Sequence, residues 1–143
     1  MLLHASCVVI GEKAVLLAGP PGAGKSDLAL RLIDGGARLL ADDQTILRCE
    51  NDAIIVSSPP AIQGMIEIRH VGLVRMPFVA SAQVALYVDL LGFDAAIERL
   101  PEPDFVFFLD HPVQRLRLPS FAASTPAKIR AALAYTYTDD PNA

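Results

Sequence analysis

Apolar positions along this chain fall in short blocks, and the spacing inside the blocks changes several times. Val8-Val9-Ile10 gives way to Gly11-Glu12-Lys13, and Ala14-Val15-Leu16-Leu17-Ala18 follows at once. Two apolar runs about so brief a polar turn predict a β-hairpin. From Lys25 the period lengthens: Leu28 with Leu32 and Ala29 with Ile33 are spaced at i and i+4. That spacing predicts a helix, and Gly35-Gly36 stops it. Arg38–Ala41 predicts a short strand that ends in Asp42-Asp43. Thr45–Arg48 and Ala53–Val56 around Glu50-Asn51-Asp52 predict a second hairpin, and Pro59-Pro60 interrupts the chain. Met65–Arg69 alternates, with Ile66 and Ile68 on one face and Glu67 and Arg69 on the other. Val84–Leu91, Phe105–Leu109 and Arg115–Leu118 predict further strands, and Asp94–Leu100 one or two helical turns. His111, before Pro112, predicts a loop. In the last segment Thr125 is placed as a cap and Pro126 at the first helical position, with Ile129, Leu133 and Thr136 on one face. Strands outnumber helices and two hairpins flank the middle of the pattern. The prediction is an α/β fold with a mixed sheet.

Bulk composition narrows the setting. With 143 residues, 52% hydrophobic and 20% charged, the chain is expected to form one domain, 1–143, around a sizeable core. A net charge of −4 gives no basic footprint for nucleic acid. The N-terminus lacks the basic-then-apolar order of a secretory signal, and no apolar run is long enough to span a membrane. Those readings point to the cytoplasm. Cys7 and Cys49 match no zinc or redox spacing, and both are expected to be buried thiols in a reducing compartment.

One segment carries specific chemistry. Gly19-Pro20-Pro21-Gly22-Ala23-Gly24-Lys25-Ser26 matches G-x-x-x-x-G-K-[ST] in full. The glycines let the backbone curl with its N–H groups inward, and the following helix adds its positive end. Lys25 would reach the outer phosphates and the Ser26 hydroxyl a Mg²⁺ ion. A chance match in a chain this size is on the order of one in a few hundred at average composition. The flanking strand and helix make it rarer still. A dinucleotide-binding reading is weaker, because Gly22-Ala23-Gly24-Lys25-Ser26-Asp27 lacks the third glycine.

Asp42-Asp43 stands sixteen and seventeen residues beyond Ser26 at a strand end. A P-loop enzyme needs a carboxylate for the metal or its water, and a kinase also needs a base for the acceptor hydroxyl. Adjacent aspartates point in different directions, so one can serve each purpose; a solvated turn is the plain alternative. Glu67 and Arg69 on their own read as a surface pair. His4 reads as incidental near a terminus, and Lys128 and Arg130 as a solvated helix face.

Taken together these residues resemble the catalytic domain of the HPr kinase/phosphorylase family, in a short form without that family's N-terminal domain. The resemblance rests on His4, twenty-two residues before Ser26, on the P-loop, on Leu39-Leu40-Ala41-Asp42-Asp43, and on Ile66-Glu67-Ile68-Arg69-His70-Val71-Gly72, which is similar to a family signature with the core Glu-Ile-Arg-Gly-x-Gly. It implies a fold like that of phosphoenolpyruvate carboxykinase, with the P-loop core in a mixed sheet and flanking helices. It implies ATP and Mg²⁺ as cofactors and a serine of HPr, a small phosphocarrier protein, as acceptor. Asp42 would be the base, tuned by His4, with Lys25 on the transferred phosphate. Ser26 and Asp43 would help hold Mg²⁺, Glu67 would belong to the metal or substrate shell, and Arg69 would order that site. The family also runs the reverse step, in which inorganic phosphate attacks phosphoserine. Its long forms are hexamers, which leaves a homo-oligomer as an open expectation.

The chain departs from the family at His70, where the signature has glycine, and at Ser124-Thr125-Pro126-Ala127-Lys128, where longer members carry a Pro-Gly-Arg-Asn stretch that handles phosphate. Two other readings stay open: a small-molecule kinase or NTPase, and a non-catalytic nucleotide-binding module that signals through a partner.

Overall fold

The computed structural model describes residues 1–92 and 95–135. The first strands are β1 (Leu2–Leu3), β2 (Ala5–Ile10) and β3 (Lys13–Ala18), followed by helix α1 (Lys25–Asp34). Next come β4 (Arg38–Ala41), β5 (Thr45–Glu50), β6 (Ala53–Ser57), a 3₁₀ turn at Pro60–Ile62, and the separate pair β7 (Met65–Ile68) and β8 (Gly72–Arg75). The long β9 (Ser81–Leu91), β10 (Phe105–Phe108), β11 (His111–Pro119) and α2 (Thr125–Ala134) complete the order.

Both expected hairpins form: β2 pairs antiparallel with β3, and β5 with β6. The surprise is their meeting point. β9 lies parallel to β3 on one edge, and on its other edge it takes β6 antiparallel near its start and β11 parallel near its end. Reading across the sheet, β4-β2-β3-β9-β11 brings the carboxyl ends of three parallel strands, β3, β9 and β11, to one edge. The sheet is mixed, as the alternation of hairpins and apolar runs predicts.

β3 explains the arrangement in miniature. Ala14, Leu16 and Ala18 feed one buried cluster with Ala5, Cys7, Val9 and Phe108. Val15 and Leu17 feed another with Val8, Leu28, Leu32 and Ile129. A strand covered on both faces has to be apolar throughout. Leu16 and Leu17 are fully buried, and truncating either to alanine would cost about 2–5 kcal/mol. Helices α1 and α2 cover the second face, where Leu28, Leu32 and Ile129 are inaccessible to solvent.

Several expectations need correction. Thr125 is the first residue of α2 rather than its cap; Ser124 stands in the cap position and makes no side-chain cap bond. Thr125 is buried and its hydroxyl donates to the Pro119 carbonyl at 2.6 Å instead. The expected turns over Asp94–Leu100 are absent from Ala95 onward, where the residues are mostly exposed and Pro101 and Pro103 follow; Asp94 and Thr136 lie outside the described residues. His111 opens β11 rather than lying in a loop, because it pairs with Phe108. Cys49 is exposed because it lies near the tip of the β5–β6 hairpin, past the buried Thr45 and Leu47 of its own face, whereas Cys7 is buried. Arg130 is not merely solvated: it donates to the Leu32 carbonyl at 2.9 Å and ties α2 to α1.

Candidate functional site

The loop between β3 and α1 stands at the carboxyl edge of the parallel strands, where open α/β sheets bind ligands. Gly24 precedes the helix with φ 93°, a left-handed conformation that glycine adopts without strain. Lys25 is nine-tenths covered, and its ammonium donates to the carbonyls of Gly19 at 3.0 Å and Pro20 at 3.4 Å. Its other neighbour is an Asp43 carboxylate oxygen at 3.9 Å. Asp27 in the first helical turn complements the helix dipole.

A one-residue irregularity aims the acid pair. Cys7 of β2 faces Ala41 of β4, but Val8 faces Leu39, so Leu40 has no residue opposite it. The bulge puts Leu40 and Ala41 on the same face, in the cluster away from the helices. Asp42, the next residue, therefore emerges on the helix side. Bulges commonly re-aim a side chain in this way. There Asp42 Oδ1 accepts from the Ser26 hydroxyl at 2.6 Å and from the Ser6 hydroxyl at 2.9 Å, while Oδ2 accepts from the Glu67 N–H at 3.0 Å. Asp43, with φ 65°, turns away and keeps its carboxylate largely exposed beside Lys25; its N–H donates to the Ser6 hydroxyl at 3.0 Å.

The loop, the acid pair and the β7–β8 hairpin enclose a cleft of about 530 Å³, within the range that holds small molecules. Pro21 through Ser26 form one wall, Asp42 and Asp43 another, and Glu67 through His70 a third; Phe121 stands at the rim beside Gly24. The expected residues Lys25, Ser26, Asp42, Asp43, Glu67 and Arg69 thus share one cavity. Gly19 and Pro20 enter through their carbonyls to Lys25. His4 is exposed at the bend between β1 and β2 and does not line the cleft.

His70 has φ 72° at the third position of the Ile68–Val71 turn, whose ends are joined by the Val71 N–H to the Ile68 carbonyl at 3.0 Å. That is the position where turns with positive φ favour glycine. The histidine keeps the backbone shape that the glycine of the signature would adopt.

Three contributors escaped the sequence reading. Ser6 is the buried hydroxyl that joins both aspartates; its signal was one polar residue inside the apolar run Ala5–Ile10. Arg31 and Phe121 belong to a contact between α1 and the segment after β11, to which no local pattern points.

Oxygen donors dominate the cleft. The Ser26 hydroxyl with the Asp43 and Glu67 carboxylates is a hard set suited to Mg²⁺, an ion that usually keeps waters and substrate phosphates in its shell. Among the described residues no group of three His, Cys, Asp or Glu side chains gathers into a protein-only cage. The donors fit a metal shared with a bound polyphosphate.

Strand, phosphate loop, helix and strand-end acid pair define a P-loop domain built on a mixed sheet. Residues 1–138 match the family model of the HPr serine kinase C-terminal domain, and the chain belongs to that family. It is similar to the HPr kinase/phosphorylase of Thermoanaerobacter sp. (strain X514), 36% identical over 128 residues, which cover 82% of this chain and 42% of the relative. The corresponding protein of Clostridium novyi (strain NT) is 29% identical over 145 residues, covering 94% and 47%. The solved structure of the HPr(Ser) kinase/phosphatase from Coxiella burnetii superposes with a TM-score of 0.82 at 28% identity, over 93% of each chain. The chain spans less than half the length of the curated relatives it matches. Among the described residues no helix is long and apolar enough to cross a membrane.

Proposed function

We propose that this chain is an ATP-dependent protein-serine kinase that acts, in the cytoplasm, on an HPr-type phosphocarrier protein in regulation of a phosphotransferase system. The observation that carries the reading is the Asp42 carboxylate, which accepts a hydrogen bond at 2.6 Å from the P-loop hydroxyl of Ser26 and so stands beside the phosphate loop.

The inward amides of Gly22 to Ser26 and the Lys25 ammonium hold the β- and γ-phosphates. Asp42 orients the acceptor serine and takes its proton as the hydroxyl oxygen bonds to the γ-phosphorus. The bond from that phosphorus to the bridging oxygen breaks, and ADP leaves. Ser26, Asp43 and Glu67 are the residues that would hold Mg²⁺, whose charge offsets that of the phosphates. Arg69, at the cleft wall, faces the same charge. In the reverse direction inorganic phosphate attacks phosphoserine, and Asp42 returns the proton to the serine oxygen. The relatives named HPr kinase/phosphorylase and the P-loop geometry support this reading.

One observation favours exchanging the two aspartates' roles. A carboxylate bonded to the P-loop hydroxyl is also placed to hold a metal, and Asp43 is the more exposed of the pair. The test is phosphate transfer from ATP to a purified HPr-type protein. With Asp42 as base, Asp42→Asn lowers the rate by about 10²-fold or more without moving the Mg²⁺ requirement, and Asp43→Asn raises that requirement. The reverse pattern assigns the base to Asp43. Phosphorylation of small hydroxyl compounds, but not of HPr-type proteins, would refute the acceptor.

A further inference from the structure

We infer that Phe121 is the surface against which the nucleobase of the bound nucleotide lies; the inference rests on the nucleotide site proposed above.

Sheet order sets the direction of the ligand. β4, which leads into Asp42, lies on one side of β3, and β9 followed by β11 lies on the other. A polyphosphate wrapped on the β3–α1 loop, with its outer phosphate toward Asp42, extends its nucleoside toward the carboxyl ends of β9 and β11. The residues that follow β11 are Ser120 and Phe121.

Helix α1 gives the same answer. Its side chains advance about 100° per residue. Ser26 faces Asp42, whereas Asp27 and Arg31 lie on the flank turned one residue further round. From that flank the Arg31 guanidinium donates to the carbonyls of Ser120 and Ala122, one residue to each side of Phe121. The Ser120 N–H donates to the Leu91 carbonyl at 3.2 Å, and Thr125 holds the Pro119 carbonyl. The backbone around Phe121 is therefore fixed to α1, β9 and α2.

The ring itself is half exposed and lines the cleft. It lies so close to the P-loop that a Cβ added at Gly24 would stand 2.8 Å from a ring carbon. A flat apolar surface fixed on the nucleoside flank of a phosphate loop suits a base, whose π-face it can cover whatever the base's edge. The acceptor protein has to approach at the opposite flank, where Asp42 stands.

Calorimetric titration of the full chain with ATP and, separately, with inorganic tripolyphosphate, both with Mg²⁺, tests this. Losing a base–aromatic contact costs roughly 5- to 100-fold in affinity. Phe121→Ala should weaken ATP by about tenfold and leave tripolyphosphate within about twofold, and Phe121→Trp should retain ATP. Equal loss of both ligands, or loss of neither, overturns the inference while the phosphate site stands. If neither ligand binds the wild type, or Lys25→Ala leaves both unchanged, the nucleotide reading fails and this inference with it.

Discussion

Ser6 is the least conspicuous residue of the site, and its removal is the most informative perturbation. The side chain is fully buried. Its hydroxyl donates to Asp42 Oδ1 and accepts from the Asp43 N–H, so one atom sets both carboxylates. Ser6→Ala adds no bulk and leaves the β2 ladder intact. It deletes a hydrogen bond to a charged group, worth about 1.5–3 kcal/mol, and leaves a backbone donor without its partner, a penalty of about 1–3 kcal/mol. Asp42 keeps its bonds from Ser26 and Glu67, and the cleft admits water to the turn, so the two terms do not add in full. A net loss of about 2–3 kcal/mol is expected, read as a lower urea midpoint at unchanged slope. The acid pair also loses its common anchor, and phosphate transfer to an HPr-type protein should fall by about 10- to 100-fold in kcat/KM, the scale of a small misplacement at a reacting centre. A double-mutant cycle with Asp42→Asn separates the causes. Residues in direct contact couple by about 0.5–3 kcal/mol, so the paired variant should lose less than the sum of the singles. Wild-type stability and transfer in Ser6→Ala, or strict additivity with Asp42→Asn, would refute the reasoning.

The two cysteines should separate cleanly. Burial pushes the Cys7 thiol far above its ordinary range, while Cys49 is exposed. An aromatic disulfide reagent at pH 8 should therefore modify one thiol per native chain and two after denaturation; two in the native state contradicts the packing of β2. The Asp104 carboxylate accepts a hydrogen bond from Arg115 at 2.8 Å, which holds its carboxyl below the ordinary range. A depressed folded value means that the pair stabilises the fold above the ordinary carboxylate range and ceases to do so as pH falls through the folded value. Carbon-13 NMR titration should find Asp104 low in the wild type and higher in Arg115→Gln, where the Phe105 N–H and Arg117 remain beside it; no movement would remove Arg115 as the cause.

What could be read from the residues alone was whatever depends on neighbours in sequence. The P-loop is eight consecutive residues, and each hairpin declares itself by two apolar runs and a turn. The strand before Asp42-Asp43 was visible for the same reason. Its bulge was not, because an unpaired Leu40 exists only relative to β2. Yet that offset decides which side of the sheet Asp42 emerges on. The exposure of Cys49 depends on how far toward the tip of the β5–β6 hairpin the core reaches beyond Leu47, which the alternation of β5 cannot say. Thr125 has the chemistry of a cap, but the Pro119 carbonyl lies closer to hand and takes its hydroxyl. Arg31 is an ordinary helix residue until the segment after β11, about ninety positions away, returns to it.

The position of β9 has a consequence for synthesis. The two early hairpins, β2–β3 and β5–β6, can each close as soon as they leave the ribosome, but in the described residues no strand of one pairs in the sheet with a strand of the other. The eleven-residue β9 fits between them and arrives only after residue 81. Until then the nascent chain carries two unsatisfied strand margins, the kind of surface that invites pairing with another molecule. Assembly of the sheet thus waits on a single late insertion, and conditions that slow translation through that stretch should favour aggregation over folding.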